Sequence, residues 1–161
     1  MLCKMSDFNL VKEKKGFFGL WRWEVTLTAL LAMNLVDLVA ITESWLHSDI
    51  DSSFLSISAF DLFGKDRVAG WGGRIWVYLN NIIPCRQRLD LEQPKFERLW
   101  LTLHPKCQPR PLSGIAMCVF YHPPGQSAES HKNLNDYLIN TTDRLHNKHP
   151  DHGLVLLSVV T

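Results

Sequence analysis

The sequence predicts an α/β fold in which several strands and one long helix form a layered sandwich. Two apolar runs with β-branched members, residues 38–41 and 154–160, are typical of buried strands. Between them, Leu134, Leu138 and Leu145 recur at helical spacing and predict a long helix with one apolar face. Many strands joined by one long crossover helix indicate a sheet that is layered by helices.

The composition is that of one soluble globular domain. The chain has 161 residues, of which 46% are hydrophobic and 20% are charged, so it is long enough to bury a core. The formal net charge of +1 excludes a global electrostatic attraction to nucleic acid and leaves only a local basic surface. The four cysteines form no C-x-x-C pair, which argues against a zinc knuckle or a disulfide framework. A reducing compartment, and therefore an intracellular location in the nucleus or cytoplasm, is expected.

Residues 1–25 lack the helical and strand patterns that the rest of the chain shows. Residues 1–25 have no clear period and are unassigned, with a disordered extension expected, while residues 26–161 form the domain. Residues 16–41 are apolar and aromatic, but charged residues interrupt them, and the longest uncharged run, 25–36, is too short to span a bilayer. An amphipathic helix that leads into a strand is the preferred interpretation, and a membrane tether is the alternative.

The elements of the domain follow in order along the chain. A short helix near residues 27–35 precedes the strand at 38–41, and a Ser- and Asp-rich loop follows it. Further strands are predicted over these ranges: 60–63, 75–79, 82–89, 96–103 and 114–121. The Pro-Pro-Gly turn after His122 ends the last of these strands. Ser127 caps the long helix, which ends near Pro150, and the final strand runs from 154 to 160.

Two side chains at strand ends have the chemistry that a phosphodiesterase needs. Glu43 directly follows the strand at 38–41, where a rigid sheet can hold a carboxylate ligand for a hard divalent cation. Tyr121 ends the strand at 114–121, and its phenol can donate a hydrogen bond to a phosphate oxygen.

These residues belong to an ordered set of short motifs. The set is Asp37-Leu38-Val39-Ala40-Ile41-Thr42-Glu43-Ser44-Trp45-Leu46, Lys65-Asp66-Arg67, Gly72-Gly73 and Tyr121-His122-Pro123-Pro124-Gly125. On these motifs the chain resembles the endonuclease/exonuclease/phosphatase superfamily, and most closely the apurinic-type endonuclease domain of non-LTR retrotransposons. The resemblance covers roughly residues 26–157. It implies a four-layer α/β sandwich and Mg²⁺-dependent nicking of target DNA, which primes reverse transcription.

The resemblance also implies roles for three residues. Glu43 matches the metal-binding glutamate, and Tyr121 matches the catalytic tyrosine that contacts the scissile phosphate. Arg67 matches the arginine of the family's Asp-Arg pair, a substrate-binding position. Magnesium and DNA are therefore the expected cofactor and partner.

The sequence also departs from the family pattern at several positions. These departures predict an incomplete sandwich of the four-layer type that lacks catalytic activity. The asparagine that ends the family's first strand is missing, and Arg74 replaces its third glycine. After the last strand, where the family has Gly-Asp-Phe/Trp-Asn, this chain has Ser158-Val159-Val160-Thr161, and the later Asp-His pair is absent. The expected function is a degenerate, retroelement-derived endonuclease fragment. The alternative is a non-catalytic nucleic-acid- or protein-binding remnant, with self-association through an exposed sheet face.

Three further patterns admit both a functional and a structural interpretation. A His-x-x-His-x-x-His run at 146–152 suggests zinc, although Pro150 and Gly153 break the helix through it, which favours a surface cluster. Trp71 and Trp76 suit either base stacking or packing. A basic set interleaved with acids suits either DNA binding or an ordinary mixed surface. This set is Arg86, Arg88, Arg98, Lys106 and Arg110.

Overall fold

The computed structural model describes residues 36–44, 56–65, 74–93, 96–122 and 125–159. Within these residues it contains two β-sheets and one α-helix. The strands are β1 (Leu38–Ser44), β2 (Phe60–Lys65), β3 (Arg74–Asn80), β4 (Cys85–Gln87), β5 (Glu97–Leu103), β6 (Gly114–Tyr121) and β7 (His152–Val159). The helix α1 spans Ala128–Lys148, and a short 3-10 helix spans Leu89–Leu91.

The first sheet has three strands in the order β1-β3-β2, and both pairings are antiparallel. The central strand β3 alternates strictly, so that Ile75, Val77 and Leu79 are buried on one face of the sheet. The register between β1 and β3 shifts between Ile41 and Ser44. Such a bulge locally bends and twists the strand that contains it.

The second sheet has the order β4-β5-β6-β7. Strands β4, β5 and β6 pair antiparallel, whereas β6 and β7 are parallel. A parallel pair cannot be joined by a tight turn, and here α1 provides the crossover between the two strands. The long helix therefore follows directly from the pairing of β6 with β7.

The main core lies between the two sheets. Its buried members come from three strands: Ile75, Val77, Leu79, Leu99, Leu101, Leu103, Met117, Val119 and Tyr121. Because both inner faces contribute to one cluster, each sheet covers the apolar face of the other. The residues of β5 and β6 in this cluster alternate with a second set that faces α1, as the two-residue period of a strand requires.

The helix packs on the outer face of the second sheet. Ser127 caps it by accepting a hydrogen bond from the Ser130 amide at 3.2 Å. Its buried face contacts Trp100, whose indole Nε1 donates to the Tyr137 hydroxyl at 2.8 Å. That hydroxyl donates in turn to the Leu91 carbonyl at 2.6 Å, so the helix is tied by hydrogen bonds to the sheet and to the 3-10 helix.

The architecture confirms the predicted α/β class and an incomplete sandwich, with layers formed by α1, the second sheet and the first sheet. The predicted strand at 82–89 is wrong for its first part, because residues 81–83 form a turn and only Cys85–Gln87 pair with β5. The final strand starts earlier than predicted, at His152. The predictions for residues 1–35 lie outside the described residues. In the part of the chain that the structure covers, no helix is both long enough and apolar enough to cross a membrane.

Candidate functional site

Tyr121 occupies the last position of β6, on the face of the second sheet that meets the first sheet. Its side chain is only 9% exposed and belongs to the main core. The Tyr121 phenol therefore lies at one end of the interface between the two sheets, at the edge of the main core. This position agrees with the predicted strand-end location of Tyr121, while contact with a phosphate remains a prediction.

Glu97 lies directly opposite Tyr121 in the antiparallel pair of β5 and β6. Directly opposed residues project on the same face of a sheet, so the Glu97 carboxyl and the Tyr121 phenol are neighbours. The Glu97 side chain is half-buried, and its Oε2 atom is shielded from solvent. Glu97 is not among the site residues that the sequence predicts. The signal was present, because Glu97 is in phase with Leu99 and Leu101, which face the core.

Glu43 is the penultimate residue of β1, as the sequence predicts. The structure describes its backbone, and the register shift between Ile41 and Ser44 brackets it. Bulges are common at functional sites because they change the direction of a side chain. Strand β1 contacts β6 across the sheet interface. The convergence of the Glu43 carboxylate with the Tyr121 phenol stays a prediction.

A pair of histidines follows Tyr121. The rings of His122 and His131 are 4.3 Å apart between centroids, with an interplanar angle of 67°. Burial, and then the nearby His131, lower the pKa of His122. Both effects disfavour the charged imidazole, so they reduce the positive charge that His122 can add to this end of the sheet.

In the structure, two of the five residues of the basic set are not available as free surface cations. Arg98 is 0% exposed, donates to the Gln93 carbonyl at 2.8 Å and stacks on the Tyr137 ring at 3.7 Å. Burial lowers the pKa of this guanidinium. Arg88 forms a bidentate pair with Asp90 at 2.8 Å, which lowers the pKa of that carboxyl to about 2. Three exposed members remain: Arg86, Lys106 and Arg110.

Arg67 and Trp71 lie outside the described residues. Trp76 packs against Gly64 on the neighbouring strand β2, where its ring carbons would stand only 2.5 Å from an added Cβ atom. The glycine therefore makes room for the indole, which favours the packing interpretation of Trp76.

The C-terminal histidine run is only partly brought together. The rings of His149 and His152 stack at 4.6 Å between centroids, but His146 is exposed on α1. The third histidine beside this pair is His104, which directly follows β5. Its ring centroid lies 5.9 Å from that of His152. In residues 36–44, 56–65, 74–93, 96–122 and 125–159, no group of three or more His, Cys, Asp or Glu side chains is arranged to hold a metal. Zinc, the alternative to the preferred surface cluster, therefore has no such group of ligands among the described residues.

Whether the residues near Tyr121 could hold Mg²⁺ depends on the oxygen ligands that they offer. Mg²⁺ requires near-octahedral oxygen ligands and usually takes one or two carboxylates, with waters or substrate phosphates completing the shell. Among the described side chains this end offers the carboxylate of Glu97, beside a phenol that is largely buried. These two groups alone do not fit a magnesium site.

Comparison with known proteins gives the class of the fold. No protein-family model matches the sequence, and no curated protein does. The structure is similar to the endonuclease domain of TRAS1, a telomere-specific non-LTR retrotransposon, with 13% identity and a TM-score of 0.50 over 84% of this chain. It is also similar to the human Nocturnin catalytic domain, solved with a bound sulfate anion, with 9% identity and a TM-score of 0.54 over 86% of this chain.

Both solved structures have folds of the endonuclease/exonuclease/phosphatase type, so this chain has that fold as well. The resemblance that the motifs predicted is therefore confirmed for the fold. The chain spans about half of each structure that it matches, 50% of the TRAS1 domain and 56% of the Nocturnin domain. The fold is thus incomplete relative to the full sandwich.

Proposed function

We propose that this chain is a degenerate, retroelement-derived remnant of a Mg²⁺-dependent DNA endonuclease that no longer cleaves DNA. The likeness to the TRAS1 endonuclease domain supports the nuclease ancestry. The order of the motifs around Glu43 and Tyr121 supports the retrotransposon type. We further propose an intracellular location, in line with the free cysteines among the described residues, Cys85, Cys107 and Cys118.

The course of β7 is the observation that carries the proposed inactivity. This strand continues to Val159 and stays paired with β6 as far as Tyr121. The resemblance places the Gly-Asp start of a catalytic loop at positions 158 and 159, but these hold Ser158 and Val159 within a paired strand. Neither residue can orient an attacking water or bind a metal as a carboxylate does.

The expected loss of rate is large. Removing one essential member of a concerted catalytic set typically costs roughly 10³–10⁶-fold. The resemblance assigns two such groups, an Asp and an Asn, to the Gly-Asp-Phe/Trp-Asn motif, at whose positions this chain has Ser158, Val159, Val160 and Thr161. Any remaining rate therefore falls to background.

A plasmid-nicking assay with Mg²⁺ tests this function. The wild-type chain and the variant Glu43→Ala are incubated with supercoiled plasmid, and the relaxed form is measured over time. We expect both to match a protein-free control. Nicking by the wild type that Glu43→Ala abolishes would show that an active site survives and would overturn the proposal.

Non-catalytic binding of nucleic acid is the second candidate function. The exposed cations Arg86, Lys106 and Arg110 favour it, because they remain available after Arg88 and Arg98 are accounted for. Binding through such residues releases counterions from the DNA, so its affinity falls steeply with salt.

Fluorescence anisotropy with a labelled duplex measures this binding. The double variant Lys106→Gln/Arg110→Gln should lower both the affinity and the slope of log K against log salt. Glu97→Gln provides a second probe, because removing a carboxylate beside Tyr121 should strengthen binding if DNA phosphate approaches that end of the sheet. Affinity that is unchanged in both variants would contradict the DNA-binding candidate.

A further inference from the structure

Three histidines meet at the end of the second sheet that lies opposite Tyr121. His149 is the C-cap residue of α1, His152 is the first residue of β7, and His104 directly follows β5. The rings of His149 and His152 stack with centroids 4.6 Å apart and an interplanar angle of 13°. The His104 ring meets the His152 ring edge-on at 5.9 Å. We call these three residues the histidine cluster.

The His152 ring is enclosed in a way that suits its neutral form. A Cβ atom added at Gly114, its register partner on β6, would stand 2.9 Å from His152 Nε2 and 3.1 Å from His104 Cε1, so both rings lie against the β6 backbone. His152 Nδ1 is shielded from solvent and has no hydrogen-bond partner among the residues that the structure describes. A neutral ring can carry its hydrogen on Nε2, whereas a charged ring carries one on each nitrogen. Charging His152 in place therefore buries an N–H donor that no described group accepts.

The electrostatic environment also disfavours a proton on His152. Burial is the largest effect on the pKa of His152 and lowers it, and the neighbouring His149 is the second. The Asp151 carboxylate acts in the opposite direction, while His104 and Arg88 add to the lowering. The pKa is lowered overall, so the closed arrangement of the histidine cluster excludes a proton that a solvated imidazole would bind.

The histidine cluster lies where the β5–β6 loop is joined to the turn between α1 and β7. The Ser113 amide donates to the Asp151 carbonyl at 3.0 Å, and the Ser113 carbonyl accepts from His104 Nδ1 at 3.1 Å. The Ser113 hydroxyl donates to the Asp151 carboxylate, which lowers the pKa of that carboxyl group. Within the turn, the His152 amide donates to the His149 carbonyl at 3.1 Å. The loop and the turn are thus held together by the same residues that bring the three rings into contact.

We propose that the histidine cluster is a pH-dependent switch, which holds the turn at residues 149–153 against the β5–β6 loop at neutral pH and releases it below about pH 6.5. In the open form each ring is solvated and binds a proton without burying it, so acid favours opening. The switch is local, because the turn separates from the loop while β5 and β6 stay paired. This inference is independent of the proposed function.

Amide hydrogen exchange of the wild type, corrected for the intrinsic effect of pH on exchange, tests the switch between about pH 7.5 and about pH 5. The reporters are the amides of Ser113 and His152, which are hydrogen-bonded in the closed form. An imidazole that is charged only in the open form raises the opening constant by up to roughly 30-fold over this interval. We expect a rise of about 10-fold or more at both reporters. In acid they should also open more readily than the amides of residues 99–101 in β5.

Three single variants identify the groups that respond to acid. His152→Gln removes the ring that meets both others, so the rise at the Ser113 amide should fall below about 3-fold. His149→Gln keeps His152 but removes its stacked neighbour, so it should weaken the rise as well and serves if the first variant does not fold. His146→Gln is the matched control, because His146 is exposed on the same helix. This control should respond to acid as the wild type does.

Four results would overturn the inference. The first two are wild-type reporters whose opening does not rise in acid, and a rise that His152→Gln leaves unchanged. The third is a loss of response in His146→Gln equal to that in His152→Gln. The fourth is reporters that open only together with residues 99–101, since acid would then unfold the whole domain rather than release one turn.

Discussion

The buried hydroxyl of Tyr137 offers the sharpest test of how the helix is held. It accepts from Trp100 Nε1 at 2.8 Å and donates to the Leu91 carbonyl at 2.6 Å. Tyr137→Phe removes this oxygen but keeps the ring on which the Arg98 guanidinium stacks at 3.7 Å. A buried donor and a buried acceptor are then left without their partner.

The expected loss in the free energy of unfolding follows from these two unpaired groups. An unsatisfied buried polar group costs about 1–3 kcal/mol, so the pair should lower the free energy of unfolding by about 2–4 kcal/mol after partial relaxation. For a chain of this size, each kcal/mol shifts Tm by roughly 2–4 °C. The expected drop in Tm is therefore on the order of 4–16 °C.

Urea unfolding monitored by circular dichroism measures the change, with the same m-value expected for both proteins. Thr142→Val is the matched control, because it deletes a hydroxyl from an exposed position of the same helix, where Oγ1 donates to the Ile139 carbonyl at 2.9 Å. We expect that control to change stability by less than about 0.5 kcal/mol. If Tyr137→Phe costs no more than Thr142→Val, the hydrogen-bonded link between helix and sheet is not what stabilises this layer.

Three further predictions concern packing, capping and pH. Gly64→Ala should cost about 1–3 kcal/mol in urea unfolding, because the Trp76 ring stands 2.5 Å from the new Cβ. Ser127→Ala should cost about 1 kcal/mol through the lost helix cap, and Ser127→Asn should restore it. Burial lowers the pKa of His122 and His152, so the unfolded chain binds more protons. Stability should therefore be full above about pH 6.5 and fall as pH drops below it, and His152→Gln should weaken that dependence.

The regular elements could be predicted because their periods are strong. The apolar spacing of Leu134, Leu138 and Leu145 predicted α1, and continuous apolar runs predicted β6 and β7. The turn after β3 was mistaken for a strand because Ile82 and Ile83 are apolar. The decisive signal is Asn80, whose side-chain oxygen accepts from the Ile82 amide at 3.2 Å and turns the chain.

The site was harder to predict because strand partners are not visible in a single sequence. Tyr121 could be found from its strand end, but Glu97 becomes its neighbour only through the register of β5 with β6. Arg98 was expected at the surface, in either a DNA-binding or a mixed set, because arginine is rarely buried. Its burial depends on Tyr137, from a helix that is distant in sequence. Such contacts are set by tertiary structure, which local patterns do not encode.

The composition of the core explains how this fold tolerates large changes in sequence. The main core is built from alternating residues of β3, β5 and β6. A core of this kind requires apolar side chains of suitable volume rather than particular identities. Identities of 13% and 9% to structures of the same fold agree with that requirement. The described sheets can therefore keep their packing while exposed positions, such as Ser158, change identity.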